Sequence, residues 1–166
     1  APLSGLPDNA FEHDGQLTKQ EVRAATLAKL APADKQVLWD LGAGCGSIAI
    51  EWCRLNPTVK AIAFERDDKR LQMIQNNAIK LAAFGLDAVK HDVSDKIDLP
   101  SPDAIFIGGG LSKTLLNDCW SRLPTGGRLV ANAVTLDSEV LLNEFPLTIG
   151  REPSDCLCRI AVERPI

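Results

Sequence analysis

"LWDLGAGCGSIAIEW", residues 38–52, runs from an apolar stretch through three alternating glycines into a second apolar stretch. The first part reads as a buried strand and the last as a helix, joined by a tight loop at Gly42, Gly44 and Gly46. Glycine stabilises neither neighbour, so three of them mark a place where backbone must come close to something else. In an open parallel sheet that place lies beyond the carboxyl end of a strand. There a ligand meets the free N–H groups and positive dipole end of the next helix.

Outward from this loop, strand and helix signals alternate. "TKQEVRAATLAKL" (18–30) has apolar positions at helical spacing, with Thr18 three residues before Glu21 in a capping-box pattern. Strands are expected at 35–41, 59–65, 87–93, 103–109, 127–134 and 156–163. Helices are expected at 47–55, 67–85 with Gly85 as its C′ glycine, 113–123 and 136–145. Such alternation calls for an α/β fold with a mostly parallel, doubly wound sheet. Residues 1–17 are rich in proline and glycine and read as an irregular arm outside the core.

The 166 residues fit a single domain, and a net charge of −4 with no basic tract argues against nucleic-acid binding. No apolar run approaches the roughly 20 residues that span a bilayer. The five cysteines, Cys45, Cys53, Cys119, Cys156 and Cys158, form no CxxC pair and have no histidine cluster beside them. They read as reduced thiols of a cytoplasmic protein with no metal site. The one methionine is Met73, so Ala1 is not a translation start, and the chain is expected to be processed or cut from something longer.

The spacing of the glycines separates the cofactor classes. Ser47 stands where G-x-G-x-x-G needs glycine, and no lysine follows as in G-x-x-x-x-G-K-[ST]. "DLGAGCG" instead resembles the acidic-x-Gly-x-Gly-x-Gly signature of class I S-adenosylmethionine-dependent methyltransferases, which implies a Rossmann-like fold. Glu65, at the end of the second strand, can accept from both ribose hydroxyls, or is simply an exposed strand-end acid. Asp92 can accept from an adenine amino group with Val93 facing the ring, or can cap a turn. Asp103 opens a fourth strand that runs into Gly108, Gly109 and Gly110, a loop that leaves room for a bulky substrate and offers N–H groups to anions. No [ND]-P-P-[YFW] box follows this strand and the chain has no tyrosine, which disfavours a flipped base as acceptor.

"GLPDNAFEHDGQLTKQEVRAATLAKL" together with "LWDLGAGCGSIAIEW" resembles the precorrin methyltransferase/decarboxylase family of cobalamin (vitamin B12) biosynthesis. The similarity covers residues 5–137 and is greatest to the C-terminal half of the fused C5,15-methylating members. It implies methylation of carbon 15 of a precorrin of the precorrin-7 type, with loss of the ring-C acetate carboxylate as carbon dioxide. S-adenosylmethionine would be the methyl donor and S-adenosylhomocysteine the product. The carbon-5 methylation would belong to an N-terminal half, and the assembly would be a homo-oligomer, a tetramer.

Carried over by position, the cofactor contacts are Thr18, Gly42, Ala43, Gly44, Cys45, Gly46, Glu65, Asp92 and Val93; Thr18 also serves as a helix cap. The family closes with a reversed pair of strands, but after "CLCRIAVERPI" nothing remains for the second, so a shortened C-terminal strand region is expected. Candidates for the substrate carboxylates are Lys19, Arg23 and Lys113, each otherwise a solvated surface charge. His13 could move a proton during decarboxylation, or be an ordinary loop histidine. Competing assignments are a class I methyltransferase acting on tRNA or another small molecule, and a non-catalytic module that keeps the fold.

Overall fold

A computed structural model of the chain describes residues 2–162. Five strands, β1 (Val37–Leu41), β2 (Lys60–Glu65), β3 (Leu86–Lys90), β4 (Ala104–Ile107) and β5 (Arg128–Ala131), form one sheet in the order β3-β2-β1-β4-β5. All four pairings are parallel, with Leu41 of β1 opposite Phe64 of β2 and Ile107 of β4. The strand order reverses between β1 and β4, which sets a crevice at the carboxyl ends of those two strands.

Among the described residues six helices connect and cover the sheet: α1 (Gln20–Leu30), α2 (Ser47–Leu55), α3 (Asp68–Lys80), α4 (Lys113–Arg122), α5 (Leu136–Thr148) and the single turn α6 (Pro153–Cys156). Alternate residues of each strand serve opposite faces. Leu38, Ala61, Ala63, Ala104 and Phe106 pack with α1, α2 and α3, whereas Trp39, Leu41, Phe64, Ile105 and Ile107 pack with α4 and α5. Central strands buried on both sides explain why "VLWDL" and "AIFI" read as unbroken apolar runs.

Several expected boundaries move. Helix α1 starts at Gln20 with Lys19 as its N-cap residue, and no side chain caps it, so the Thr18 capping box does not form. Helix α3 stops at Lys80 rather than at Gly85. Ala82 takes a left-handed φ of 56° and the Ala83 amide reaches back to the Ala78 carbonyl, which closes the helix end early. Gly85 is kept small for another reason: a β-carbon there would sit 2.6 Å from the Val59 carbonyl oxygen. Asp103 lies at the far end of β4 from the crevice, where its carboxylate accepts from the Val37 amide at 2.8 Å and pins the base of β1.

The arm is irregular apart from one 3₁₀ turn at Asp8–Ala10, but it is not outside the core. Leu6 and Phe11 are buried with α1 and α2, because their apolar side chains close the end of that helix layer. The strand expected at 156–163 is absent from its described part. Cys156 ends α6, residues 157–162 are irregular, and Glu163 lies outside the described residues. The segment lacks clean alternation, and Leu157, Ile160 and Val162 stay exposed, so pairing with the edge of β5 would bury too little to order it.

Candidate cofactor and active site

The loops after β1, β2 and β4 meet at the crevice, and the segment after β3 joins them. Gly42 and Ala43 both donate to the Phe64 carbonyl at 3.0 Å, which hooks the glycine loop over the end of β2. Gly42, at φ +69°, has no room for a side chain: a β-carbon would stand 2.9 Å from the Gly109 nitrogen. Gly44, at φ +61°, differs, since the nearest atom to its β-carbon position is the Gln16 carbonyl oxygen at 3.9 Å. The three glycines of the opening motif therefore do different jobs. Gly42 is pressed against backbone and Gly46 against Ile74, whereas Gly44 makes only ordinary van der Waals contact, with the Gln16 carbonyl oxygen.

Glu65 completes the loop. Its Oε1 accepts from the Arg66 and Asp67 amides at 2.9 and 3.0 Å, and its Oε2 from the Gly44 amide at 2.9 Å. It is buried, so these N–H groups supply what water no longer can. A carboxylate offers about four lone-pair positions, so roughly one remains for a further donor. Behind the loop, Asp40 of β1 is buried; its Oδ2 accepts from the Ala49 amide at 3.2 Å while its Oδ1 has no hydrogen-bond partner. Burial pushes this carboxyl up to about 7, and the nearby charge of Glu65 adds to that, against the pull of the Ala49 amide.

Asp92 lies two residues beyond the end of β3. Its Oδ1 accepts from the Ser94 amide and hydroxyl at 3.0 and 2.8 Å, and its Oδ2 stands 3.5 Å from Arg66. The Ser94 amide, first, holds this carboxyl below the usual range. Asp92 thus caps a turn, and the guanidinium beside its Oδ2 is exposed. Val93 lies against the glycines after β4: a β-carbon on Gly110 would be 2.7 Å from its Cγ2. Gly108 is equally close-packed, 2.9 Å from the Gly42 carbonyl oxygen by the same measure.

Other candidates are placed differently. The Cys45 side chain points into the core and its thiol is pushed up by burial, so the residue faces the loop through backbone alone. Arg23 cannot take a substrate carboxylate. It is 0% exposed, bonded to Glu51 at 2.7 Å, to Asp8 at 3.2 Å and to the Thr18 and Leu6 carbonyls, with Phe11 stacked on it. A guanidinium with so many acceptors is the hub that fastens the arm. Thr18 is half-buried, its carbonyl held by Arg23 and its side chain not used as a cap. His13 accepts from the Gly15 amide on Nδ1 at 3.0 Å, which makes it part of a turn and puts its N–H on Nε2. Lys19 and Lys113 are exposed, Lys19 at 3.9 Å from Asp8. Among the described residues no three His, Cys, Asp or Glu side chains group as a metal site, and no helix is long and apolar enough to cross a membrane.

The sequence offered Asp40 only as the acidic position of the glycine motif, with no contact assigned to it, and gave no role to Glu51 and Asn77. Glu51 and Asn77 announce themselves only as polar residues on otherwise apolar helix faces, which a buried partner must then satisfy.

Comparison with known proteins matches residues 9–165 to the model of the precorrin methyltransferase domain. The chain belongs to this family. A relative from Mycobacterium tuberculosis, precorrin-6Y C(5,15)-methyltransferase [decarboxylating], is 49% identical over 152 residues, 90% of this chain and 38% of that protein. The chain thus spans about two fifths of the curated relative it matches. The cobalt-precorrin-6B C(15)-methyltransferase (decarboxylating) of Salmonella typhi is 34% identical over 85% of this chain and 74% of its own. Among solved structures, the C-terminal domain of precorrin-6Y C5,15-methyltransferase from Rhodobacter capsulatus is 42% identical with a TM-score of 0.81, covering 89% of this chain and 81% of that one. The Rossmann-like methyltransferase fold is thereby shown.

Proposed function

We propose that this precorrin methyltransferase domain binds S-adenosylmethionine in the crevice between β1 and β4, and methylates carbon 15 of a precorrin while the ring-C acetate is lost as carbon dioxide. The observation that carries the proposal is the Gly44–Glu65 hydrogen bond, which ties the least crowded glycine of the motif, its β-carbon position 3.9 Å from the nearest atom, to a carboxylate with acceptor capacity left. The names of relatives at 49% and 34% identity support the substrate class.

The residues present fit a sulfonium nucleoside. Asp40 keeps one buried oxygen without a partner, a fit for the donors at the amino-acid end. Glu65 would take a ribose hydroxyl directly and a second only by sharing with Gly44. Asp92 and Val93 would hold the adenine, with Arg66 displaced from Asp92 or laid over the ring. Thr18 and the Gly42–Gly46 backbone would line the amino-acid end. When bound, the sulfonium supplies an electrophilic methyl group.

The chain's own part is positioning and exclusion of water. The tetrapyrrole would lie beside the Gly108–Gly110 loop, whose glycines let its backbone close against Gly42 and Val93, and the exposed Lys19 and Lys113 would meet its carboxylates, Lys19 by leaving Asp8. We assign no proton transfer to His13, whose Nδ1 is already used in its turn. We also propose that these residues are the C-terminal methyltransferase half of a fused, cytoplasmic, tetrameric enzyme. The 38% coverage of the mycobacterial relative supports the fusion.

Two measurements test the central proposal. Calorimetric titration with S-adenosylhomocysteine should show saturable one-site binding. Incubation with precorrin-7 and S-adenosylmethionine should give a product with one methyl added and one carbon dioxide lost by mass. A methylated product that keeps the carboxylate would reduce the activity to methyl transfer, and the absence of any product would refute it.

A further inference from the structure

One face of α3 carries a polar stripe that nothing in the cofactor contacts above explains. Arg70, Asn77 and Lys80 lie seven and three residues apart, and therefore on one side of the helix. Each fastens a different point of the arm. Lys80 Nζ donates to the Ala10 carbonyl at 2.8 Å. Asn77 accepts from the Glu12 amide at 2.7 Å and donates to the Glu12 carbonyl at 2.8 Å. Arg70 holds the Asp14 carboxylate at 2.7 Å and the Gln16 side-chain carbonyl at 2.9 Å. The arm thus runs antiparallel along α3, from the helix's last turn back to its first.

The stripe ends at the glycine loop. The second Asn77 amide hydrogen goes to the Cys45 carbonyl at 3.1 Å, so a fully buried side chain ties arm and loop together. With one acceptor and two donor bonds made, both of its amide hydrogens are engaged. The Gln16 carbonyl then comes to rest across from Gly44, 3.9 Å from where a β-carbon would be. Apolar burial anchors this segment only at its ends, through Phe11 before it and Leu17 after it, while Glu12, Asp14, Gly15 and Gln16 between them are exposed. The α3 stripe is what positions it.

We infer that Asn77, Arg70 and Asp14 are positioning residues that hold arm residues 12–16 as the outer wall of the Gly42–Gly46 loop, and so set its affinity for the nucleoside. The inference rests on the nucleoside assignment under Proposed function, and the test separates the two.

The experiment titrates the full chain and three variants with S-adenosylhomocysteine, with thermal unfolding and amide hydrogen exchange measured alongside. Asn77→Ala should weaken binding at least tenfold and speed exchange at Gly44 and Cys45. Arg70→Gln and Asp14→Asn should each weaken it about threefold at unchanged melting temperature, and the double variant should be no weaker than the weaker single. Asp14→Asn is the decisive variant, because it removes the ion pair between arm and helix, leaving Arg70 only its Gln16 bond, while the Arg70 charge near Glu65 stays intact. Wild-type affinity and wild-type loop exchange in Asp14→Asn would overturn the inference, even if Asn77→Ala fails to fold. If the unaltered chain takes up no nucleoside, the cofactor assignment falls; faster loop exchange in Asp14→Asn would then still establish the positioning, and unchanged exchange would remove it too.

Discussion

Gly42 and Gly109 meet backbone to backbone at the switch point of the sheet, so that a β-carbon on Gly42 would stand 2.9 Å from the Gly109 nitrogen. Two strands that are neighbours in the sheet but 66 positions apart in register, Leu41 and Ile107, thus end in loops that exclude side chains from each other.

Gly42→Ala and Gly44→Ala should consequently fail in different ways. The first forces a β-carbon into backbone at φ +69° and should cost about 2–4 kcal/mol of stability. The second meets only the Gln16 carbonyl oxygen, at van der Waals distance, and should cost only about 1 kcal/mol, for its left-handed φ. Urea unfolding checks both. Titration with S-adenosylhomocysteine should show Gly44→Ala losing affinity out of proportion to its small stability loss.

Asp40 should make the domain less stable as pH rises. Its folded-state carboxyl is pushed up to about 7 by burial, whereas an unfolded aspartate titrates near 4. Between those values the native state holds the extra proton, so stability falls from about pH 4 to about pH 7 and then levels. Asp14, Asp67 and Asp92 are shifted down, so their contributions are lost only as pH falls below about 4. Denaturant midpoints measured from pH 4 to 8 should decline, and Asp40→Asn should flatten the decline.

Glu51→Ala should be among the most damaging single changes. It leaves the Arg23 guanidinium buried without its main counter-charge and strips acceptors from the Gly5 and Leu6 amides, bonded at 2.7 and 3.0 Å. Removing one partner of a buried ion pair costs about 3–5 kcal/mol. A lowered melting temperature, together with proteolytic cleavage of the arm under native conditions, is the expected outcome.

Two thiols should react with Ellman's reagent in the native protein, and all five after denaturation. Cys156 and Cys158 are exposed, whereas Cys45, Cys53 and Cys119 are buried. Burial also pushes the Cys53 and Cys119 thiols up to about 12, which keeps them protonated and unreactive. A rapid third equivalent would show that the core opens near one of them.

The five strands of the sheet, the glycine loop and the family motif were legible because each is a local pattern, whereas the strand expected at 156–163 does not form in its described part. A run such as "VLWDL" must be buried on both faces, and the spacing Gly42, Gly44, Gly46 separates one nucleotide loop from another. Helix ends were less legible. Ala82 stops α3 in a conformation that usually falls to glycine, and Thr18 gives up its expected cap because Arg23 draws its carbonyl inward.

By itself the sequence determined the alternating α/β order and the glycine loop, whose signals lie within windows of a few residues, and its resemblance over residues 5–137 pointed to the precorrin methyltransferase family. Only the tertiary structure decided that Arg23 is a buried clamp rather than a substrate contact, that Asp103 sits away from the crevice, and that the arm is part of the glycine loop's wall. Arg23 and Glu51 are 28 positions apart, Glu12 and Asn77 65. Which distant polar groups satisfy one another is set by how the layers stack, and no local spacing encodes it.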